Sequence, residues 1–202
     1  MPRVSIEYEQ AQRERIIDGA APVFAHNGYR QTTIDQICQT LQLSKGAIYI
    51  YFESKEELFV STLRTIFDRR FSTLSTAYQK NDTTPMKVEK ILDRLGKLVD
   101  HEDDVYVRLS VEAFLESDHI PNLQAIKTDS YELFYKLVYD LLREGQLAGE
   151  INGDLNISSL TTVLMAVSDG LMMHSLVRGR GIDSDQVRRV VSETFSQVLY
   201  HD

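Results

Sequence analysis

Apolar residues recur at helical spacing along almost the whole chain of 202 residues. A first stripe of Ile16, Ile17, Ala20, Ala21 and Phe24 predicts a helix over roughly 8–27, which ends at Asn27-Gly28. We find no sustained alternation of apolar and polar residues, and no Asn-Gly or Asp-Gly turn between two alternating segments. The pattern therefore predicts an all-α protein.

Breaks in this pattern divide the chain into about nine helices. After the first, we expect helices near 33–41, 44–51, 55–80, 85–100, 103–117, 121–147, 155–178 and 184–201. Thr32 or Thr33 can cap the second helix and Ser44 the third, because short hydroxyl side chains accept hydrogen bonds from the first turn. Ser54 and Glu57 have the spacing of a capping box at the start of the fourth.

The second and third predicted helices have the arrangement of a helix-turn-helix, because both are short and about three residues separate them. In that motif the second of the two helices enters the major groove of DNA. Ile48 and Phe52 share a face of this helix and are expected to be buried. Lys45 lies elsewhere and offers an ammonium to a phosphate or a guanine edge, while the Tyr49 hydroxyl can donate to a phosphate. Gly46 leaves room for a close backbone approach.

Charge is distributed unevenly along the chain. The net charge is -8, but residues 1–55 hold six basic and six acidic side chains, so all the excess lies in the remainder. Hydrophobic residues make up 43% and charged residues 26%, which is ordinary for a globular protein. This asymmetry predicts two functional parts, a helix-turn-helix domain over 1–54 and a larger acidic domain over 55–202.

Several classes of protein are disfavoured by what the sequence lacks. The N-terminus has no apolar signal-peptide region, and no uninterrupted apolar run approaches the ~18 residues that span a bilayer. The chain has one cysteine, which is compatible with a cytoplasmic protein. Nucleophile-elbow, P-loop, zinc-protease and dinucleotide fingerprints are missing. We therefore expect a cytoplasmic protein without membrane partner, enzymatic activity, cofactor or metal.

The stretch GYRQTTIDQICQTLQLSKGAIYIYFESKEELF, Gly28–Phe59, resembles the DNA-binding domain of TetR-family transcriptional regulators. The matching features are an aromatic residue after glycine, paired threonines, an isoleucine-rich helix, Ser-Lys-Gly, and a final Ser-Lys-Glu. The resemblance implies that Thr33 and Lys55 contact the DNA backbone. It also implies that the third helix faces DNA through Ser44, Lys45, Gly46, Tyr49, Ile50 and Tyr51.

Two positions depart from the family pattern. The turn before Ser44 usually reads Ala-Gly-Val, whereas this chain has Leu41-Gln42-Leu43. Glutamine can adopt the required backbone conformation at modest cost. Ile50 stands where histidine, asparagine or tyrosine is common, and isoleucine cannot hydrogen-bond a phosphate. It could contact a thymine methyl group or pack against the first helix, and both interpretations stay open.

The C-terminal part offers a second resemblance. The stretch VSDGLMMHSLVRG, Val167–Gly179, is similar to a late helix of the BetI-like branch of the family. The family implies a ligand pocket here, for which the candidates are Tyr106, Glu112, Tyr131, Tyr135, Met165, Asp169 and Met173. Such residues also serve as ordinary core. Glu112 and Asp169 lie in apolar helices, where a buried carboxylate needs a partner, either a cationic ligand or an arginine such as Arg108 or Arg178.

The last two predicted helices carry apolar stripes suited to a homodimer. In the family, these helices pair across a two-fold axis, and self-complementary burial is the commonest oligomer geometry. The expected interface residues are Leu160, Val163, Val167, Leu171, Val187, Val191, Phe195 and Val198.

Three other features are best explained by structure alone. Cys38 lies on an apolar helix face, where packing is a better explanation than redox sensing. His101–Asp104 are consecutive and cannot converge on one metal ion from a helix, so we expect a solvated loop. Arg178–Gly181 follow a predicted helix end, where glycine stops the helix and arginine complements its dipole.

The resemblance thus implies a ligand-responsive regulator, most simply a repressor. As a homodimer it would bind a near-palindromic operator in double-stranded DNA and would be released by a small-molecule effector. The alternative is an acidic helical protein–protein interaction module that has lost DNA binding. The net charge of -8 and Ile50 are its best support, whereas the DNA-facing pattern is retained and argues against it at Thr33, Ser44, Lys45, Tyr49 and Lys55.

Overall fold

The structure is a computed structural model that describes residues 5–96, 104–178 and 183–200. These residues form nine α-helices and contain no strand. The helices are α1 (Ile6–Asn27), α2 (Ile34–Leu41), α3 (Lys45–Tyr49), α4 (Lys55–Ser75), α5 (Thr84–Gly96), α6 (Asp104–Glu116), α7 (Leu123–Leu147), α8 (Ile157–Arg178) and α9 (Ser184–Tyr200). The all-α prediction is confirmed. The predicted bounds are wrong for α3, which is shorter, and for α4, which ends at Ser75 rather than near residue 80.

The chain divides into two compact units. Unit 1 comprises Met1–Asp68 and Arg108–Lys127, and unit 2 comprises Arg69–Val107 and Thr128–Asp202. Unit 1 therefore contains α1 to α3 together with parts of α4, α6 and α7. The functional boundary at 54/55 remains a prediction about where DNA binding resides.

The core of unit 1 is built on the predicted stripe of α1. Ile16, Ile17, Ala20, Ala21 and Phe24 are all buried. The ring of Phe59 from α4 lies 4.9 Å from that of Phe24 and 4.7 Å from that of Tyr29. Gly19 allows close packing of α1 and α2, because a Cβ there would lie 2.2 Å from a methyl group of Leu41. Aromatic packing and one close helix contact hold α2 and α4 against α1.

The core of unit 2 forms between α5, α7, α8 and α9. A cluster of buried residues includes Val88, Ile91, Leu92, Leu141, Leu142, Ile151, Ile157, Leu160, Leu164, Phe195 and Leu199. Gly145 of α7 meets the start of α5, since a Cβ there would lie 2.4 Å from the Thr84 Cγ2 atom. The Glu150 carboxylate also accepts a hydrogen bond from the Thr84 N–H at 2.9 Å, which satisfies a donor in the first turn of α5.

Helix α8 is the most apolar element of unit 2. Its segment Ile157–Val177 has a mean hydropathy of 1.4 and meets the length and composition criterion for crossing a membrane, yet only 17% of that window is buried within the chain. A single such helix is weak support for a membrane span, and Asp169 lies inside it. Val163, Met173 and Val177 are at least half exposed. This helix therefore presents apolar surface that residues 5–96, 104–178 and 183–200 leave uncovered.

Candidate DNA-binding surface

Helix α2 begins with a complete capping box. The Thr33 hydroxyl accepts a hydrogen bond from the Gln36 N–H at 3.3 Å, and the Gln36 side-chain oxygen accepts one from the Thr33 N–H at 2.8 Å. The neighbouring Thr32 is buried and donates to the Gly28 carbonyl at 2.7 Å. Of the two predicted caps, Thr33 is therefore the N-cap, and its exposed side chain remains accessible at the start of α2.

The turn between α2 and α3 accommodates the unusual glutamine. Gln42 has φ 55° and ψ 41°, the left-handed conformation in which glycine is normally favoured. Its N–H donates to the carbonyls of Cys38 and Gln39, so the helix end is satisfied despite the side chain. The expectation that glutamine can take this conformation is confirmed. The Ser44 hydroxyl then caps α3 by accepting from the Ala47 N–H at 3.2 Å.

Helix α3 and the three residues after it divide into a buried and an exposed side, as predicted. Ile48 and Phe52 are 0% and 1% exposed. Lys45 and Gly46 are exposed, Tyr49 is about half exposed and Tyr51 is half-buried. The Ile50 side chain is 73% exposed, so the structure favours availability to a partner over packing against α1.

Lys45 is held by an ion pair within the motif. Its Nζ lies 2.9 Å from an Asp35 carboxylate oxygen, and both side chains are largely exposed. The hydrogen bond that the ammonium donates to the Asp35 carboxylate raises the pKa of Lys45, which is therefore protonated at neutral pH. An exposed pair of this kind is worth little in water, so a DNA phosphate can take the place of Asp35 at small cost.

Arg13 of α1 supports the end of α3 and was missed by the sequence reasoning. Its guanidinium donates to the Tyr51 carbonyl, lies 3.4 Å from the Glu57 carboxylate and stacks 4.3 Å from the centre of the Phe52 ring. The Ser54 hydroxyl caps α4 through the Glu57 N–H, as predicted, but the Glu57 carboxylate accepts from the Glu53 N–H instead of closing a capping box. No local pattern marks Arg13, because its partners are distant in sequence.

Lys55 points into the loop between α1 and α2. Its ammonium donates to the carbonyls of Tyr29 at 2.8 Å, Thr32 at 2.9 Å and Arg30 at 3.4 Å. It also lies 4.3 Å from the centre of the Tyr29 ring. Partial burial lowers the pKa of the ammonium. The predicted contact of Lys55 with the DNA backbone therefore competes with three hydrogen bonds inside the protein.

The candidate effector residues do not form one group in the structure. Glu112 belongs to unit 1, where its carboxylate accepts from the Tyr29 N–H at 3.1 Å. In unit 2, the ring centres of Tyr131 and Tyr135 lie 6.2 Å apart and continue to Tyr139 at 6.1 Å. The Tyr135 hydroxyl lies 2.8 Å from that of Ser158. These tyrosines form one continuous stripe along α7.

The other predicted effector residues of unit 2 lie on α6 and α8. Tyr106 packs under the guanidinium of Arg70, 5.2 Å from the ring centre. Met165 is half-buried and Met173 is half exposed. Asp169 is exposed to solvent in the single chain, although surrounding protein atoms still raise the pKa of its carboxyl by desolvation. None of them lines the open cavity of about 300 Å³ that Ala77, Glu89, Lys90, Asp93 and Arg94 surround.

The predicted dimer residues occupy two different environments. Leu160 and Phe195 are buried in the core of unit 2, and Val167 and Val191 pack against it. Leu171 and Val187 are half-buried, while Val163 and Val198 are 52% and 43% exposed. The chain's own core thus takes up part of the predicted stripe, and the exposed valines lie beside it.

The remaining predictions concern metal, redox and cap features. Among the described residues, no three histidine, cysteine, aspartate or glutamate side chains cluster as metal ligands. Cys38 is buried, and burial raises the pKa of its thiol, which disfavours the reactive thiolate. The predicted solvated loop at 101–104 lies outside the described residues, except that α6 begins at Asp104. Helix α8 ends at Arg178, and the rest of the predicted glycine cap also lies outside.

These features define a helix-turn-helix protein with a short, exposed second helix on a capped and buried scaffold. Comparisons with known proteins give the same class. A family model described as "Bacterial regulatory proteins, tetR family" matches residues 16–62. Another, described as "BetI-type transcriptional repressor, C-terminal", matches residues 87–199, more than half of the chain. The chain therefore belongs to the TetR family of bacterial transcriptional regulators, with a C-terminal part of the BetI type.

Individual relatives agree with this placement. The chain is 28% identical over 191 residues to the HTH-type transcriptional repressor AcnR of Corynebacterium diphtheriae, covering 95% of this chain and 93% of that one. It is 35% identical to the HTH-type regulator YuxN of Bacillus subtilis, but over 95 residues, 46% of this chain and 33% of that protein. A candidate transcriptional regulator from Saccharomonospora viridis, crystallised in complex with choline, has the same fold, with a TM-score of 0.85 at 22% identity over 96% of this chain and 100% of that one.

Proposed function

We propose that this helix-turn-helix regulator is a repressor that binds its operator as a homodimer and is released by a small molecule. The exposed surface of α3 carries this proposal, because Lys45, Tyr49 and Ile50 are exposed together. Ile48 and Phe52, on the opposite side, are buried. Two copies of α3 would enter successive major grooves, about 34–36 Å apart. A protein of this kind works in the cytoplasm, where its DNA lies.

The proposed DNA contacts follow the exposure of the side chains. Thr33 and Lys45 would meet phosphates, and Tyr49 would donate through its hydroxyl. Ser44, Gly46 and Tyr51 would lie close to the DNA backbone or base edges. Ile50 would contact a thymine methyl group, the only base-edge feature in the major groove suited to an apolar side chain.

Dimer formation is proposed through α8 and α9. The exposed apolar surface of α8 needs a cover in water, and a second copy of the same helix supplies it by symmetry. In the dimer, the partner would cover the exposed Val163 and Val198. Leu160 and Phe195 are already buried in the core and would support this surface from within.

The proposed effector is a cation that unit 2 recognises. Asp169 on α8 offers a carboxylate to a cation, and the separate tyrosine stripe on α7, which includes Tyr131 and Tyr135, offers aromatic faces of the kind that bind quaternary ammonium groups. The choline bound by the structural relative supports this class. A ligand can release DNA only if it binds the two conformations with different affinity. Choline is therefore the first probe: it should raise the melting temperature and weaken DNA binding, and should do neither in Asp169→Asn.

The test of DNA binding uses Lys45 and a matched control. Lys136 forms an exposed pair with Asp140 at 2.7 Å, much like the Lys45–Asp35 pair, but lies on α7. Binding of the DNA upstream of the protein's own gene is measured over a range of salt concentrations. Lys45→Ala should flatten the slope of log K against log salt by ~0.9 per half-site if it meets a phosphate, or reduce base discrimination by ~1–3 kcal/mol if it meets guanine. Lys136→Ala should leave both unchanged.

A further inference from the structure

The loop of residues 28–33 between α1 and α2 is fixed by charged side chains from two other helices, all within unit 1. From α4, the Lys55 ammonium donates to the carbonyls of Tyr29, Arg30 and Thr32. An ammonium has three N–H donors and no acceptor. Three carbonyl oxygens thus lie within hydrogen-bond distance of the ammonium, so a DNA phosphate would have to displace contacts that Lys55 already makes within the protein.

The same contacts explain why a lysine stands at the first position of α4. A positive charge in the first turn of a helix opposes the helix dipole. Here the carbonyl groups that follow the C-terminal end of α1 compensate it, and the Tyr29 ring adds a cation–π contact at 4.3 Å. These contacts within the protein therefore explain why a lysine stands at this position, without a contact to DNA.

Helix α6 holds the loop through two carboxylates. Glu112 accepts from the Tyr29 N–H at 3.1 Å, and the buried Glu116 pairs with Arg30 at 2.7 Å. Gly28 lies against Glu112: its φ is 76°, and a Cβ there would lie 2.9 Å from a Glu112 carboxylate oxygen. The backbone of this loop is thus bound at both its carbonyl and its amide groups.

The position of the loop sets the position of the DNA-binding helices. Thr32, whose carbonyl Lys55 binds, directly precedes Thr33, the N-cap of α2. Helix α2 leads through the Gln42 turn into α3. Any shift at Thr32 therefore moves the start of α2 and, with it, the exposed face of α3.

We propose that Lys55 and Glu112 are positioning residues for DNA binding, which act through the loop of residues 28–33, and that Lys55 is not a phosphate ligand. This inference rests on the DNA binding proposed above. Its consequence is measurable, because a phosphate ligand and a positioning residue differ in salt dependence. Losing a phosphate contact flattens the slope of log K against log salt by ~0.9. Losing a positioning contact lowers affinity at every salt concentration and leaves the slope unchanged.

The experiment measures fluorescence anisotropy of a labelled duplex from the region upstream of the gene, over a range of potassium chloride concentrations. Wild type, Lys55→Met and Lys45→Met are compared, with circular dichroism to confirm folding. We expect Lys55→Met to bind about tenfold more weakly, a change of ~1.4 kcal/mol, with the wild-type slope. Lys45→Met serves as the reference for a flattened slope. A flattened slope for Lys55→Met, or unchanged affinity, would overturn the proposal.

Glu112 gives an independent test that also holds if Lys55→Met fails to fold. Removing a negative charge from a DNA-binding protein should strengthen DNA binding if only long-range electrostatics matters. The positioning role predicts the opposite: Glu112→Ala should bind about tenfold more weakly, and Glu112→Gln, which keeps an acceptor for the Tyr29 N–H, should restore affinity. Tighter binding by Glu112→Ala contradicts the proposal. If wild type itself does not bind any upstream duplex, the proposed function fails and this inference falls with it.

Discussion

Unit 1 and unit 2 both have a buried apolar core, but they differ in what positions the surface that is proposed to function in each. In unit 1, charged and hydroxyl side chains bind backbone groups: Lys55 binds the loop carbonyls, Arg13 binds the end of α3, and Thr33 and Ser44 cap short helices. In unit 2, long helices pack through a large apolar cluster, and α8 leaves apolar surface exposed. The comparison indicates that DNA binding by unit 1 depends on the exact position of α2 and α3. The stability of unit 2 depends mainly on how much apolar surface is buried.

The largest expected effects come from the two cores. Phe59→Ala removes a fully buried ring that contacts two other aromatic rings in unit 1 and should cost about 3–5 kcal/mol. Leu142→Ala in unit 2 should cost about 2–5 kcal/mol. Chemical denaturation followed by circular dichroism measures both. If the free energy of unfolding of either variant fell by less than about 1 kcal/mol, the replaced side chain would not belong to the core described here.

Two close glycine contacts give the next largest effect and compare the units directly. Gly19→Ala places a methyl group against the flexible end of Leu41, whereas Gly145→Ala places one against Thr84, including its Cβ at 2.9 Å. Overpacking costs typically about 1–3 kcal/mol. We expect Gly145→Ala to lie near the top of that range and Gly19→Ala near the bottom, because the Leu41 side chain can rotate away. The reverse order in equilibrium unfolding would contradict the packing described here.

Replacing Gly46 should have opposite effects on the stability of α3 and on the affinity of unit 1 for DNA. An added Cβ would meet only the Ser44 hydroxyl oxygen, at 3.8 Å, so space within the chain does not require glycine. Gly46→Ala should stabilise α3 by up to about 1 kcal/mol because alanine favours helix. It should nevertheless weaken DNA binding if a DNA backbone approaches this point. Unfolding and anisotropy measurements on the same variant test this. Unchanged DNA affinity would remove Gly46 from the contact surface.

The smallest expected effect is a pH dependence in unit 2. Hydrogen bonds from Lys90 at 2.5 Å and from the Gln79 N–H at 2.7 Å lower the pKa of Asp82. Because the pKa of the Asp82 carboxyl is lower in the folded protein, its contacts contribute fully to the free energy of unfolding above ~3.9, the pKa of an aspartate in the unfolded chain. It is lost as pH falls through the lower folded value. The stability difference between wild type and Asp82→Asn should therefore shrink as pH falls from 6 to 3. A difference that stays constant would contradict the assigned contacts.

Local features were predictable from the sequence because their partners are near in the chain. The apolar stripe of α1 and the buried Ile48 and Phe52 follow from helical periodicity. The Ser44 cap and the left-handed Gln42 involve only residues within a few positions. The helix-turn-helix followed from their spacing. For the same reason, the likeness of a short stretch to a family was enough to indicate the class of protein.

Long-range contacts were beyond the same reasoning. Lys55 and Tyr29 are 26 residues apart, and Glu112 and Tyr29 are 83 apart. The sequence shows that a first-turn lysine and a carboxylate in an apolar helix need partners, but it does not identify those partners. Glu112 was therefore grouped with effector residues, although it binds a loop of unit 1. Likewise, periodicity alone could not separate Leu160 and Phe195, which the core buries, from the exposed Val163 and Val198.

The central claim is that two copies of α3 read one operator, and hydroxyl-radical footprinting of the upstream DNA tests it most directly. The account predicts two protected half-sites of related sequence, centred one helical turn of about 10–10.5 base pairs, or a multiple of it, apart. Lys45→Ala should weaken the protection of both half-sites equally, and Lys136→Ala should leave the protection of both unchanged. A single protected site, protection without such spacing, or equal footprints from wild type and Lys45→Ala would contradict it.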